Sequence, residues 1–226
     1  YELRIREMDR YGIDISIVSL TCPNVYWGGE EVSVRAAREA NDNVADAQAK
    51  YPDRIRWFTS LPWEYPERAV QELERSCANG AVGVMVLANI SGRSLTDPFF
   101  EPVWAAIDRR GLPVLVHPTD PPGVDLMDMT KYDLSWSVGF MFDTTLAFTR
   151  MIFDGFFDRF PNMKLIASHG GGTLPYLVGR DAHFFDNVRP FFCVAAPIDS
   201  PDGRRLGALD MAVHLWRSKW LMLGLF

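Results

Sequence analysis

The sequence has few cysteines, no long apolar run and no basic segment, and each scarcity disfavours a class of protein. Only Cys22, Cys77 and Cys193 occur, an odd and widely spaced set, so we expect a reduced, cytoplasmic setting rather than a disulfide-stabilised secreted domain. No apolar run approaches the roughly 20 residues that span a bilayer, so no membrane segment is expected. The net charge of −6, without a basic run, argues against a nucleic-acid partner.

Several catalytic motifs are also missing. The chain has no G-x-S-x-G, P-loop or C-x-x-C sequence, and the glycine run at 170–172 lacks the Gly-Lys-Ser/Thr ending of a phosphate loop. It also has no initial methionine, and Tyr1 falls inside a predicted helix. We therefore expect a piece of a longer protein, with part of any site outside this sequence.

Short apolar runs alternate with longer helical patterns along 226 residues, which is typical of a parallel sheet with crossover helices. We expect one domain over residues 1–226. The absence of a glycine-rich dinucleotide loop favours a closed β/α barrel over an open doubly wound sheet. Predicted strands lie at 13–20, 54–60, 82–87, 112–116, 163–168 and 220–224.

The helices are predicted from apolar spacing and from end signals. Asp97 and Pro98 suit the start of one helix and Gly111 its end, and another helix is expected at about 143–160. Residues 190–205 resemble a loop, and 206–216 are a possible helix. Two further sets have simple interpretations: core aromatics, including Trp104, Phe153 and Phe157, and solvated carboxylates, including Glu64, Glu67, Glu72 and Glu74.

Two of the four histidines directly follow predicted strands, where a barrel has its catalytic face. His117 ends one apolar run, and His169 ends another and precedes three glycines, which allow close approach to the backbone. Imidazole suits metal ligation and proton transfer, so both are candidate site residues. The alternative is that both are structural, as we expect for His183 and His214.

Two other side chains are weaker candidates. Arg180 follows His169 by about three helical turns, and its guanidinium suits a carboxylate, but it could equally be a surface charge. Trp136 lies in the irregular segment after His117, where it could line a pocket or anchor the loop.

Four stretches form a specific combination: R-I-R-E-M-D through G-I at 4–13, V-H-P at 116–118, W-S-V-G with D-T-T and R-F-P at 136–161, and S-H-G-G-G-T-L-P with G-R at 168–180. Together they resemble the amidohydrolase superfamily, in the branch of aminocarboxymuconate-semialdehyde decarboxylase and its relatives. The resemblance covers about residues 3–190.

The resemblance implies a distorted (β/α)8 TIM barrel, with its first strand absent and its last strands incomplete in this chain, and one divalent metal, zinc or alternatively manganese. His117 would match the metal ligand of the fifth strand, and His169 the proton donor and acceptor of the sixth. Arg180 would match an arginine that binds the substrate carboxylate, often across a dimer interface, so a homodimer is expected. Trp136 would match a pocket aromatic.

The sequence also departs from that family. It contains no His-x-His, the pair of ligands that the family takes from its first strand. Leu225 and Phe226 stand where the family has an aspartate ligand after its eighth strand. We interpret these gaps as omitted or truncated segments of an active enzyme, because His117, His169 and Arg180 remain.

Three functions stay open at this stage. The first is a metal-dependent decarboxylase of a small unsaturated or aromatic carboxylate. The second is a metal-dependent hydrolase or hydratase that acts on a lactone, ester, amide or double bond. The third is an inactive or truncated barrel with a binding role only.

Overall fold

The computed structural model describes residues 1–174, 191–199 and 205–214, and it has the alternating α/β organisation that the sequence predicts. The strands are β1 (Ser16–Val18), β2 (Ile55–Ser60), β3 (Gly83–Leu87), β4 (Asn89–Ile90), β5 (Arg93–Ser94), β6 (Pro113–His117), β7 (Lys164–Ala167), β8 (Phe191–Asp199) and β9 (Arg205–His214). The α-helices are α1 (Glu2–Tyr11), α2 (Gly29–Lys50), α3 (Pro66–Ala78), α4 (Glu101–Arg110), α5 (Phe140–Phe153) and α6 (Phe156–Arg159).

The main sheet has the order β1-β2-β3-β6-β7-β9-β8, and its first five strands are parallel. These five correspond to the first five predicted strands. Each parallel pair is connected through at least one helix, as a crossover requires. All side chains of β3 are buried, which fits a central parallel strand covered on both faces. The α/β class predicted from the alternation is confirmed.

The helix predicted to start at Pro98 and to end at Gly111 begins as a 3-10 turn and becomes α-helical from Glu101. The Phe99 amide donates to Asp97 Oδ1 at 2.9 Å, which caps a short 3-10 helix, Pro98–Phe100, that leads into α4. Gly111 ends α4 in the left-handed conformation, with φ of 59°. None of the helices in the described ranges combines the length and apolar character that a membrane span requires.

A large apolar core lies between the sheet and α3, α4 and α5. Trp104 is 1% exposed within it, as predicted, and its ring lies 5.1 Å from that of Phe156. Phe157 is partly buried against the same core. Phe153 is 66% exposed, so its assignment to the core was wrong. The predicted helix 143–160 is divided at Gly155, which has the left-handed φ of 65°, and Phe153 is the last residue of α5.

Glu72 was also assigned wrongly, since it is 1% exposed rather than solvated. It belongs to α3 and contacts α2: its Oε2 accepts from Arg75 Nε at 2.8 Å and its Oε1 from Asn41 Nδ2 at 2.7 Å. A buried carboxylate is tolerated when its oxygens are paired in this way. The charge pattern on α3 did not reveal the packing of α2 against it.

The chain after residue 190 differs most from expectation. The predicted loop at 190–205 and helix at 206–216 are instead the strands β8 and β9, which pair antiparallel, and β9 also pairs antiparallel with β7. The periodicity of such short apolar runs does not separate helix from strand, and strand pairing decides between them. Arg180, His183 and the predicted strand 220–224 lie outside the described residues.

Candidate active site

His117 and His169 lie at the same edge of the sheet. His117 is the last residue of β6, and His169 follows the end of β7 by two residues. These strands are parallel neighbours, with Val116 opposite Ala167, so their carboxyl ends meet. The two imidazole rings have centroids 5.3 Å apart. The site predicted from strand ends is therefore brought together by the fold.

The hydrogen bond of the His117 ring indicates which of its nitrogens carries the proton in the neutral form. Its Nδ1 lies 2.7 Å from the Pro118 carbonyl oxygen, which can only accept, so Nδ1 carries the proton. The Nε2 atom is then the one with a lone pair, as a metal ligand requires. Burial lowers the pKa of His117, against a smaller rise caused by the Pro118 carbonyl, which favours the neutral imidazole.

His169 occupies a backbone conformation that is unusual for its residue type. Its φ is 51°, and Gly170, Gly171 and Gly172 continue the run of positive φ values. Backbone strain of this kind concentrates at sites where the surrounding structure holds the conformation in place. Burial also lowers the pKa of His169, and the neighbouring His117 lowers it further.

The loop that carries His169 is held against β6 and α5. Ser168 Oγ donates to the Val116 carbonyl at 2.9 Å, which joins the end of β7 to β6. The Thr173 amide donates to Thr145 Oγ1 at 2.8 Å. A Cβ on Gly172 would lie 2.4 Å from Thr145 Oγ1 and 2.6 Å from the Met141 carbonyl. Glycine is therefore required for this close approach.

Two aromatic side chains pack beside the histidine pair, Phe140 edge-to-face on His117 and stacked on His169 and Trp136. The Phe140 ring lies 5.8 Å from that of His117 and 5.9 Å from that of His169. Trp136, in the π-helical turn Ser135–Gly139, stacks on Phe140 at 5.8 Å and 14°. Trp136 is itself 69% exposed, so it forms the outer layer of this stack. Sequence reasoning missed Phe140, although its spacing of four from Trp136 is helical.

A buried polar pair beside the site was also missed. Asp143, in the first turn of α5, is 1% exposed, and its Oδ1 accepts from Asn89 Nδ2 at 3.0 Å. Its Oδ2 accepts from the Thr119 amide at 3.0 Å. Burial raises the pKa of Asp143 to about 6, despite these two hydrogen bonds, which lower it.

A divalent metal needs more ligands than the described residues supply together. Within residues 1–174, 191–199 and 205–214, no group of three or more His, Cys, Asp or Glu side chains is arranged to hold one. The neutral imidazole of His117, with Nε2 as its acceptor, fits a single ligand position. The described residues therefore fit part of a metal site, and Arg180 lies outside them.

Comparison with known proteins confirms the family resemblance. The amidohydrolase family profile matches residues 2–217. The chain is 36% identical over 217 residues to 2-amino-3-carboxymuconate-6-semialdehyde decarboxylase of Dictyostelium discoideum, a match that covers 94% of this chain and 59% of that protein. It is 33% identical over 190 residues to gamma-resorcylate decarboxylase of a Polaromonas species, covering 80% and 58%.

The fold is shared with solved structures at similar identity. The 5-carboxyvanillate decarboxylase of Novosphingobium aromaticivorans, solved with manganese and a nitrobenzoic acid, matches with a TM-score of 0.74 and 30% identity, over 84% of this chain and 57% of that one. This likeness confirms the expected amidohydrolase type of α/β barrel. The chain spans less than two thirds of the length of the curated relatives it matches.

Proposed function

Because the chain belongs to the amidohydrolase family, we propose that the protein it comes from is a metal-dependent decarboxylase of a small aromatic or unsaturated carboxylate. The observation that carries the proposal is the pair of imidazoles at the carboxyl ends of β6 and β7, with ring centroids 5.3 Å apart. The names of its relatives support the same reaction class, since each of the three reported above is a decarboxylase.

His117 would contribute one ligand to the divalent metal through Nε2. Its Nδ1–H bond to the Pro118 carbonyl directs the ring and leaves Nε2 deprotonated. A bound metal would polarise a substrate oxygen next to the carboxylate that is lost. The described residues offer no group of three possible ligands, so at least part of the remaining ligand set would come from beyond them.

His169 would move the proton. In decarboxylation the bond between the carbon and its carboxylate breaks, carbon dioxide leaves, and the carbon takes up a proton with the electron pair that remains. A general acid or base must stand within hydrogen-bonding reach of that carbon. His169 lies beside His117. Burial lowers its pKa, so the imidazole is mostly neutral near pH 7 and would first take up the proton that it then passes to the carbon.

Two further residues would bind the substrate. Arg180 would hold a carboxylate through its guanidinium, a role that rests on its place in the family motif. Trp136 would close the pocket from outside, with Phe140 between it and the histidines. A planar aromatic acid would stack well on such a surface.

We further propose that the metal is zinc in preference to manganese, that the protein is a homodimer in a cytoplasmic setting, and that residues 1–226 belong to a single domain. A hydrolase or hydratase would use the same metal and the same histidines, and an inactive barrel would use neither. The decarboxylase names of the relatives favour the first function over these two.

The test is carbon dioxide release by the natural-length protein, loaded with manganese or zinc, from a panel of hydroxybenzoates and unsaturated dicarboxylates. We expect release from at least one acid, and a decrease of about 10²- to 10⁴-fold in His169→Asn, because this change removes the proton-transfer group. Metal-stripped protein is the control. No release from any acid, with hydrolysis or hydration products instead, would favour the second function.

A further inference from the structure

The peptide group between Pro118 and Thr119 has a charged partner at one end and a site histidine at the other. Its carbonyl oxygen accepts from His117 Nδ1 at 2.7 Å. Its N–H donates to Asp143 Oδ2 at 3.0 Å. Since a peptide is planar, the orientation of the N–H fixes that of the carbonyl. The Asp143 carboxylate is thus connected to the His117 ring through one rigid unit.

Asn89 keeps the carboxylate in place. Its Nδ2 donates to Asp143 Oδ1 and to the Asp120 carbonyl, each at 3.0 Å. Its Oδ1 accepts from the Gly92 amide at 2.8 Å, which fixes the orientation of the side-chain amide. The pair therefore joins three segments: the β4–β5 hairpin, the backbone after β6 and the first turn of α5.

We propose that Asp143 is a positioning residue for His117, acting through the Pro118–Thr119 peptide, with Asn89 as its support. A carboxylate at the N–H end polarises the peptide and strengthens its carbonyl as an acceptor. The stronger acceptor holds the Nδ1–H form of His117 and directs Nε2 outward. The part of the proposal that concerns metal binding rests on the proposed function. The part that concerns the tautomer of His117 does not, because the tautomer is a property of the metal-free protein.

The arrangement differs from the direct carboxylate–histidine contact common around metals, because a backbone peptide stands between the two groups. It also explains why an almost fully buried carboxylate is present near the site. Asp143 forms hydrogen bonds to no other side chain among those described than Asn89. Within the described part of the chain, its Oδ2 accepts a hydrogen bond only from the Thr119 amide, in the peptide that contacts His117.

The experiment is nitrogen NMR of the imidazoles in the metal-free, natural-length protein at about pH 8, where histidine is neutral. In the unsubstituted protein the Nδ1–H form of His117 must dominate, and a coupling across the hydrogen bond from the Thr119 amide to the Asp143 carboxylate is expected. A dominant Nε2–H form overturns the proposal, even where every Asp143 variant fails to fold.

The variant is Asp143→Asn, and its matched control is Glu72→Gln, which also neutralises a carboxylate that is 1% exposed. We expect Asp143→Asn to reduce the Nδ1–H population of His117 and to raise the Kd for Mn²⁺ about 10- to 100-fold, whereas Glu72→Gln leaves both unchanged. Folded Asp143→Asn with the imidazole signals and Mn²⁺ Kd of the unsubstituted protein overturns the proposal.

The two proposals fail in different ways. If no carbon dioxide is released while the imidazole signals respond to Asp143→Asn, the function is refuted and the positioning role stands. If carbon dioxide is released while these signals do not respond, the positioning role is refuted and the function stands.

Discussion

At the residue scale, burial acts on three titratable groups with opposite chemical consequences. It lowers the pKa values of His117 and His169, which keeps both imidazoles neutral near pH 7. It raises the pKa of Asp143, so this carboxyl group resists ionisation. In each case the penalty falls on the charged form. A neutral imidazole can bind a metal, or it can accept a proton and pass it on. The pKa of Asp143, about 6, lies in a pH range in which protein stability can be measured.

The stability of the protein should depend on pH through Asp143. Its folded pKa of about 6 exceeds the ordinary value of 3.8, so the folded state binds more protons between these values. Stability from this group is therefore greatest below about pH 4 and decreases as the pH rises through 6, by on the order of 2–3 kcal/mol. Denaturant unfolding at pH 4, 5, 6 and 7 measures it.

The comparison for this prediction is Asp143→Asn measured over the same pH range. Because other groups titrate as well, the quantity to compare is the difference in the free energy of unfolding between the two proteins. As the pH rises, Asp143→Asn should become more stable relative to the unsubstituted protein. Parallel stability curves from pH 4 to 7 would show that Asp143 has an ordinary pKa.

The sequence revealed some of these residues and not others, for a physical reason. His117 and His169 could be found because each directly follows an apolar strand, which is a local pattern. Asn89 and Asp143 are 54 residues apart and meet only when β4 and α5 are folded together. Nothing in the surroundings of either residue along the chain indicates the other.

At the element scale, strands and helix ends with local signals could be predicted, and elements that depend on long-range contacts could not. The first five predicted strands and the helix ends at Asp97 and Gly111 were recovered because their signals are periodic or local. The hairpin of β8 and β9 was missed because its apolar runs also suit a helix and its pairing with β7 is long-range. The break at Gly155 was missed because one glycine does not by itself end a helix.

Gly172→Ala should destabilise the protein and disturb His169. The φ and ψ of Gly172 are 72° and −132°, a region open almost only to glycine, and a new Cβ would overlap Thr145 and the Met141 carbonyl. We expect a loss of about 2–4 kcal/mol, measured by chemical unfolding.

The matched control is Gly12→Ala. Gly12 also has a positive φ, of 66°, but a Cβ there meets nothing within 4 Å. It should lose only about 1 kcal/mol, the cost of the left-handed backbone alone. Equal losses in the two variants would contradict the close contact of the Gly172 loop with α5.

At the scale of the whole molecule, the parallel strand order explains why one edge of the sheet carries the candidate site. The strands β3, β6 and β7 are neighbours and point the same way, so Asn89, His117 and His169 emerge at a common edge. The alternation of strands and helices predicted this arrangement. The number of metal ligands could not be predicted in the same way, because a ligand set depends on side chains from many strands.

The central claim is that His117 belongs to a metal site, and metal content tests it most directly. Elemental analysis would be applied to the purified natural-length protein, to His117→Ala, and to His183→Ala, a histidine to which the sequence assigns no site role. We predict about one divalent ion per chain in the unsubstituted protein and in His183→Ala, and a loss of that ion in His117→Ala. Full metal content in His117→Ala, or no metal in any of the three proteins, would contradict the account.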